Sequence, residues 1–139
     1  MSIPLRIEDV CDRGFKDAAR LTPEERLVYL LADLETLIDM EGWDHFFMTL
    51  RMQYYSDLIS GLQAAGDSVS AEVLRDYEEH FSLYGVAFEP KAIAGFLSEE
   101  PDGYASSCRD WQEEFELAKE TRWKKMEQYL AGRGYEIVG

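Results

Sequence analysis

The stretch LTPEERLVYLLADLETLIDMEG, from Leu21 to Gly42, admits one local structure. Thr22 is a natural N-cap, Pro23 suits the first helical position, and Glu25 completes a capping box. Leu27, Leu30, Leu31, Leu34, Leu37 and Ile38 then recur at helical spacing and make one broad apolar stripe. A helix with so wide a stripe must be covered by other elements. The rest of the chain therefore has to supply a core around it.

Turn signals divide the remainder into further helical lengths. Residues 7 to 20 read as a short first helix, weakened by Gly14. Gly42 is placed to end the long helix in the left-handed region. Trp43, Phe46 and Phe47 then start a short helix that folds back into the core. Residues 52 to 65 place Tyr55, Leu58, Ile59 and Leu62 on one face, and Gly66-Asp67 closes that segment. Ser70 can cap the next helix, with Val73, Leu74, Tyr77, Phe81 and Tyr84 inward and Gly85 as its stop. A weaker helix begins near Pro90 with Ile93, Phe96 and Leu97, and Pro101-Asp102-Gly103 is a turn. The last helix reads as one long element from Ser107 to Ala131, lined by Trp111, Phe115, Ala118, Met126 and Tyr129. Period-two alternation is confined to a scrap at Tyr135 to Val138. The expected fold is all-α: a compact single domain over residues 1–139, a bundle of about six helices with a long C-terminal one.

Composition supports a core of that size. The 139 residues are 46% hydrophobic and 13% aromatic, enough for one domain without covalent staples. Cys11 and Cys108 are far apart and form no metal or redox motif. With no membrane-length apolar run and acids near the N-terminus, the chain reads as cytoplasmic with free thiols. The unusual bulk property is a formal charge of −14. Such a chain is repelled by nucleic acid and by anionic membranes, and it favours a basic protein partner.

Motifs for chemistry are missing. There is no G-x-S-x-G, no P-loop and no G-x-G-x-x-G. His45 and His80 lie in different helices without metal-ligand spacing, and His80 reads as a structural histidine at the edge of an apolar face. No cofactor, metal or catalytic residue is expected, and the chain is not read as an enzyme.

The acids carry more pattern. Glu72, Asp76 and Glu79 form a column opposite the core stripe of their helix. Asp110, Glu113 and Glu114 cluster on the last helix, and Glu99, Glu100 and Asp102 precede it. These nine are the candidate partner-binding residues. Neighbours in one column are spaced about 5–6 Å apart, wider than the roughly 3.4 Å rise between phosphates of one DNA strand. Only columns on adjacent, rigidly packed helices approximate a groove edge. Arg122 projects into the apolar stripe of the last helix, so it snorkels or pairs with a carboxylate from another helix. Tyr29 and Leu117 point away from their stripes; each is covered by another helix or marks a partner or dimer surface.

LETLIDMEGWDHFFMT, followed after a helix by LISGLQAAGDSVSAEVLRDY, resembles a bacterial domain family of largely unknown function. The best-known type of that family is an acidic DNA-mimic protein. Its pattern is a helix ending in Asn-Gly-Gly-Phe, one further residue, a glutamine, two aromatics and a later asparagine. Gly42 stands for the second glycine, Trp43 for the phenylalanine, His45 for the glutamine, and Phe46-Phe47 for the aromatic pair. Met40, Glu41 and Thr49 depart from the pattern. The resemblance covers Leu34 to Tyr77. Gly42, Trp43, Phe46 and Phe47 are its structural junction. It implies an all-α fold, a homodimer as one available state, and an acidic surface that occupies the DNA-binding face of a regulator or other basic protein. An immunity or antitoxin-like protein that plugs a basic toxic enzyme is the alternative. A small enzyme using a histidine beside acids is the third reading.

Overall fold

The computed structural model describes residues 2–139, without the side chains of Leu50 and Arg51. In chain order the elements are β1 (Ile3–Arg6), α1 (Ile7–Asp17), a 3-10 turn (Ala18–Arg20), α2 (Pro23–Glu41), α3 (Trp43–Phe47), a second 3-10 turn (Leu50–Tyr54), α4 (Tyr55–Ala64), α5 (Ser68–Leu83), α6 (Pro90–Ser98), α7 (Tyr104–Leu117), α8 (Lys119–Ala131) and β2 (Tyr135–Val138). The class is all-α. The count is eight α-helices among the described residues rather than six.

The α2 helix is the axis. Its capping box is complete: the Thr22 hydroxyl accepts from the Glu25 N–H at 3.2 Å, and the Glu25 carboxylate accepts from the Thr22 N–H at 2.9 Å. Leu27, Leu30, Leu31 and Leu34 are buried, and α1, α3 and α4 pack on it. Tyr29 is buried too, under α1. A Cβ on Gly14 would lie 2.5 Å from the Tyr29 ring, so Gly14 lets α1 lie flat on that ring. The glycine that weakens α1 as a helix is what allows it to dock.

Gly42 ends α2 differently from the sequence expectation. Its φ is 91° and its ψ 166°, an extended positive-φ conformation open almost only to glycine, not the left-handed helical region. Its N–H still reaches the Leu37 and Ile38 carbonyls, both at 3.1 Å. The chain turns at once, and α3 drives Trp43, Phe46 and Phe47 into the core. Phe47 meets Tyr77, Phe81 and Phe88 with ring centroids 5.0–6.0 Å apart, within the range of favourable aromatic pairs. Across α4 and α5 the buried Tyr55 hydroxyl donates to the Leu74 carbonyl.

Two local expectations are corrected. The cap of α5 is Asp67, whose carboxylate accepts from the Ser70 N–H at 3.0 Å. Ser70 is instead buried inside the helix, where its hydroxyl accepts from Arg122. Tyr84, assigned to the core, is 40% exposed.

The single long C-terminal helix is two helices, broken at Ala118. In a continuous helix the Phe115 carbonyl would accept from the N–H of Lys119. Here it accepts from the Arg122 guanidinium Nη1 at 2.8 Å. Arg122 is 1% exposed. Its Nη2 and Nε lie 2.7 and 2.9 Å from the Glu35 carboxylate, and its guanidinium sits 3.8 Å from the centre of the Phe115 ring. The Trp123 indole also donates to Glu35 at 2.9 Å. The break re-aims α8 so that this arginine meets its carboxylate on α2.

The scrap at Tyr135–Val138 is a true strand. It pairs in parallel with β1, Ile3 against Tyr135 through Arg6 against Val138, tying the two ends of the described chain together.

Candidate protein-binding surface

Helices α5 and α7 pack antiparallel through a polar-aromatic seam. The Tyr77 hydroxyl accepts from Gln112 Nε2 at 2.8 Å, and the Tyr77 and Trp111 rings are 5.4 Å apart. Nearer the end of α5, His80 is stacked on Tyr104 at 5.8 Å and meets Trp111 edge-on at 5.0 Å. Its Nε2 is 2.8 Å from the Ser107 hydroxyl, which itself donates to the Tyr104 carbonyl at 2.8 Å. Desolvation in this nest lowers the His80 pKa. His80 thus sits as a packing residue of the seam, while His45 is exposed on α3.

The candidate acids flank that seam. Asp76 stands one helical turn before His80, with Glu72 and Glu79 above and below it. Asp110 and Glu114 share a face of α7 with Ser107 and Trp111, the residues that touch His80. Glu99, Glu100 and Asp102 lie in the α6–α7 turn, at the end where Tyr84 meets Tyr104. Glu113 lies further round α7, toward solvent. All nine are exposed except Asp76, which is half-buried. Burial raises the Asp76 pKa, and repulsion from Glu72 and Glu79 raises it further. Glu100 holds a left-handed φ of 49° and Gly103 one of 78°, so the turn that carries three of these acids is fixed by its backbone geometry.

Pairing separates these nine acids from six on α1 and α2. Asp9, Asp17, Glu24, Glu25, Glu35 and Asp39, all on α1, its following turn or α2, form ion pairs. Among the described residues, none of the nine candidates is in an ion pair or a side-chain hydrogen bond. Residues 68 to 117 hold twelve acids against three bases, and so nine of the fourteen excess negative charges. The basic residues of α8 do not reach this face: Lys119 and Arg122 turn to Glu35, and Lys125 donates to the Gly66 carbonyl at 2.9 Å.

Two exposed leucines continue the columns. Leu83 follows Glu79 by one turn and is 78% exposed; Leu117 follows Glu114 and is 84% exposed. Because the helices run antiparallel, the leucines stand at opposite ends of the face. Leu117 was flagged by its position in the sequence; Leu83 was missed, because it falls at a helix end where periodicity is weakest. Both cysteines are free thiols, and the buried Cys108 has its pKa raised by desolvation, which suppresses the thiolate. No helix among the described residues is long and apolar enough to cross a membrane.

Fold and surface together define a small all-α protein in which nine carboxylates on α5, α7 and the turn before α7 have no ion-pair partner among the described residues. The chain belongs to the DMP19-like protein family, whose model matches residues 19–133. That match runs well beyond the Leu34–Tyr77 stretch that carries the motif resemblance. No curated protein and no solved structure matches the chain significantly.

Proposed function

We propose that the protein is an acidic binding module that acts as a DNA mimic, occupying the DNA-binding surface of a basic protein. The observation that carries this reading is the unpaired state of the acids on α5, the α6–α7 turn and α7. Unpaired carboxylates on a solvated face repel one another, and they stabilise nothing in the fold. A basic partner supplies the missing counter-charge. The geometry suits that partner: two columns on helices whose axes pack about 8–10 Å apart offer carboxylates in two rows rather than one, as the two edges of a groove offer phosphates. Membership of the DMP19-like family agrees with this reading.

The test is capture from a lysate of the source cell by the immobilised protein, eluted with a salt gradient. A DNA-binding protein should leave at moderate salt and be displaced by added duplex DNA, since both compete for one basic surface. Neutralising Glu72, Asp76, Glu79, Asp110 and Glu114 to their amides should abolish capture while leaving the thermal melt in place. Retention of a toxin-like enzyme that DNA does not displace would replace the mimic by the immunity reading. Capture unchanged by the amide substitutions would end both.

A further inference from the structure

The flank of α7 away from the α5 seam carries a second feature. A cleft of about 480 Å3 runs between the α2–α3 junction and α7. Its floor is aromatic, built from the buried Trp43, Tyr104 and Phe115, with the Trp43 and Phe115 rings edge-on at 5.0 Å. Its rim is acidic, with Glu41, Asp44 and Glu116, and no lysine or arginine lines it.

Neither the acids nor the indole is satisfied from within. Among the described residues Glu41 and Glu116 are in no ion pair, and the side chain of Asp44 has one polar contact, the Tyr104 hydroxyl at a long 3.4 Å. The cleft walls desolvate Asp44 and raise its pKa, and the Tyr104 hydrogen bond offsets this only in part. Trp43 is 6% exposed, yet its indole N–H has no hydrogen-bond partner among the described residues. The contrast is Trp123, whose indole is bonded to Glu35. That N–H is a donor open to an acceptor that enters the cleft.

We propose that this cleft receives an arginine side chain from an extended basic segment of the partner. Asp44, Glu41 and Glu116 hold the guanidinium, the apolar floor lines its aliphatic stem, and the Trp43 indole N–H donates to a backbone carbonyl of the same segment. Charge complementarity selects a cation, and several carboxylates around one cleft select the planar, many-donor guanidinium over a lysine. The interior of this protein already uses that chemistry, with Arg122 stacked on Phe115 and paired to Glu35. The inference rests on the reading of the protein as a binder of basic partners. It adds a specific contact on the opposite flank of α7 from the acid columns.

The experiment needs no partner protein, so its failure is distinct from failure of the mimic reading. A capped Gly-Arg-Gly peptide is titrated into the nitrogen-15-labelled full chain, and the indole signals of Trp43, Trp111 and Trp123 are followed by NMR. The Trp43 signal should move saturably by about 10 mM peptide, the range of a single charged contact, while the Trp123 signal stays. Asp44→Asn, at an exposed position, should keep the melt and weaken binding about fivefold or more. The citrulline peptide, neutral and nearly isosteric, should give no saturable shift, and the lysine peptide a weaker one. Glu72→Gln/Asp76→Asn/Glu79→Gln should leave the titration unchanged. An unmoved Trp43 signal overturns the proposal, as does equal binding of the citrulline peptide or of the Asp44→Asn variant. Free arginine amide binding as tightly as the peptide overturns the assignment to a protein segment and makes a small guanidine or amine the occupant.

Discussion

The acids of α1 and α2 and the acids of α5 to α7 share a chemistry and differ in use. Six of the first group, Asp9, Asp17, Glu24, Glu25, Glu35 and Asp39, are spent on ion pairs inside the protein. Glu25 closes a capping box and pairs with Arg13 at 2.7 Å, and Glu35 receives Arg122, Trp123 and, at 4.0 Å, Lys119. The second group meets no base at all among the described residues. The bases that might have paired with it are drawn across the molecule to α2. Net charge is therefore a poor guide to function in such a protein. What matters is which carboxylates the fold leaves without a partner.

The comparison breaks most visibly at Arg122. Arg122→Ala strands Glu35 and opens the ladder contact to Phe115, so it should cost about 3–5 kcal/mol in urea unfolding. The five-fold amide variant of the α5 and α7 columns should cost nothing in the same experiment. The double replacement Arg122→Met/Glu35→Leu should recover most of the loss, because it removes both charges together. A loss below about 1 kcal/mol for Arg122→Ala would mean that the paired acids are as dispensable as the unpaired ones.

A smaller effect tests the scaffold that holds the paired group. Gly14→Ala places a methyl against the Tyr29 ring, and α1 must shift to accept it. The expected cost is about 1–3 kcal/mol. Helix propensity alone predicts the opposite sign, a gain of up to about 1 kcal/mol, so the direction of the change in urea midpoint decides which term governs α1.

How far these features can be read from the chain depends on their range. The α2 capping box and its stripe follow from spacing, because their causes lie within a turn or two of helix; for Tyr29, off that stripe, spacing left cover and a partner surface both open, and its burial under α1 decides for cover. The acid columns are legible for the same reason. The break at Ala118 is not: residues 107 to 131 keep helical spacing throughout, and the cause is a contact between Arg122 and Glu35, 87 positions apart. Arg122 in an apolar stripe was the available signal, and it foretold a partner but not the broken helix. Strand β1 was missed because four residues containing Pro4 show no period, and its pairing is with the far end of the chain. The cleft joins Asp44 to Tyr104, 60 positions away, and so had no local trace. Which acids stay unpaired was hidden too, since that depends on where α8 sends its bases.

Within the unpaired group, Asp76→Asn should be neutral to slightly stabilising at neutral pH. It relieves like-charge contacts with Glu72 and Glu79 of about 0.2–0.5 kcal/mol each. Glu25→Gln should destabilise by about 1 kcal/mol, the size of a lost cap interaction. Opposite signs for one chemical change, measured by thermal melts under the same buffer, would sharpen the division between the two groups.

The finest test is acid titration, where the two groups differ in direction. Burial alone would raise the Glu25 pKa, but hydrogen bonds from Thr22 and Arg13 and the Arg13 charge outweigh it, so its pKa is lowered. A folded pKa below the unfolded one means that Glu25 stabilises the fold above its unfolded pKa and loses that contribution as pH falls through the folded value. Asp76 runs the other way. Burial and repulsion raise its pKa, so the native state takes up a proton more readily than the unfolded chain, and its unfavourable contribution at neutral pH fades as pH falls. Carbon-13 NMR of the side-chain carboxyls should therefore find Asp76 titrating above the ordinary aspartate value and Glu25 below the ordinary glutamate value. The opposite directions are a small effect but a strict test. Should Asp76 titrate at or below the ordinary aspartate value, its column carries no net repulsion, and the claim that the α5 to α7 face holds strained, partner-seeking charge falls with it.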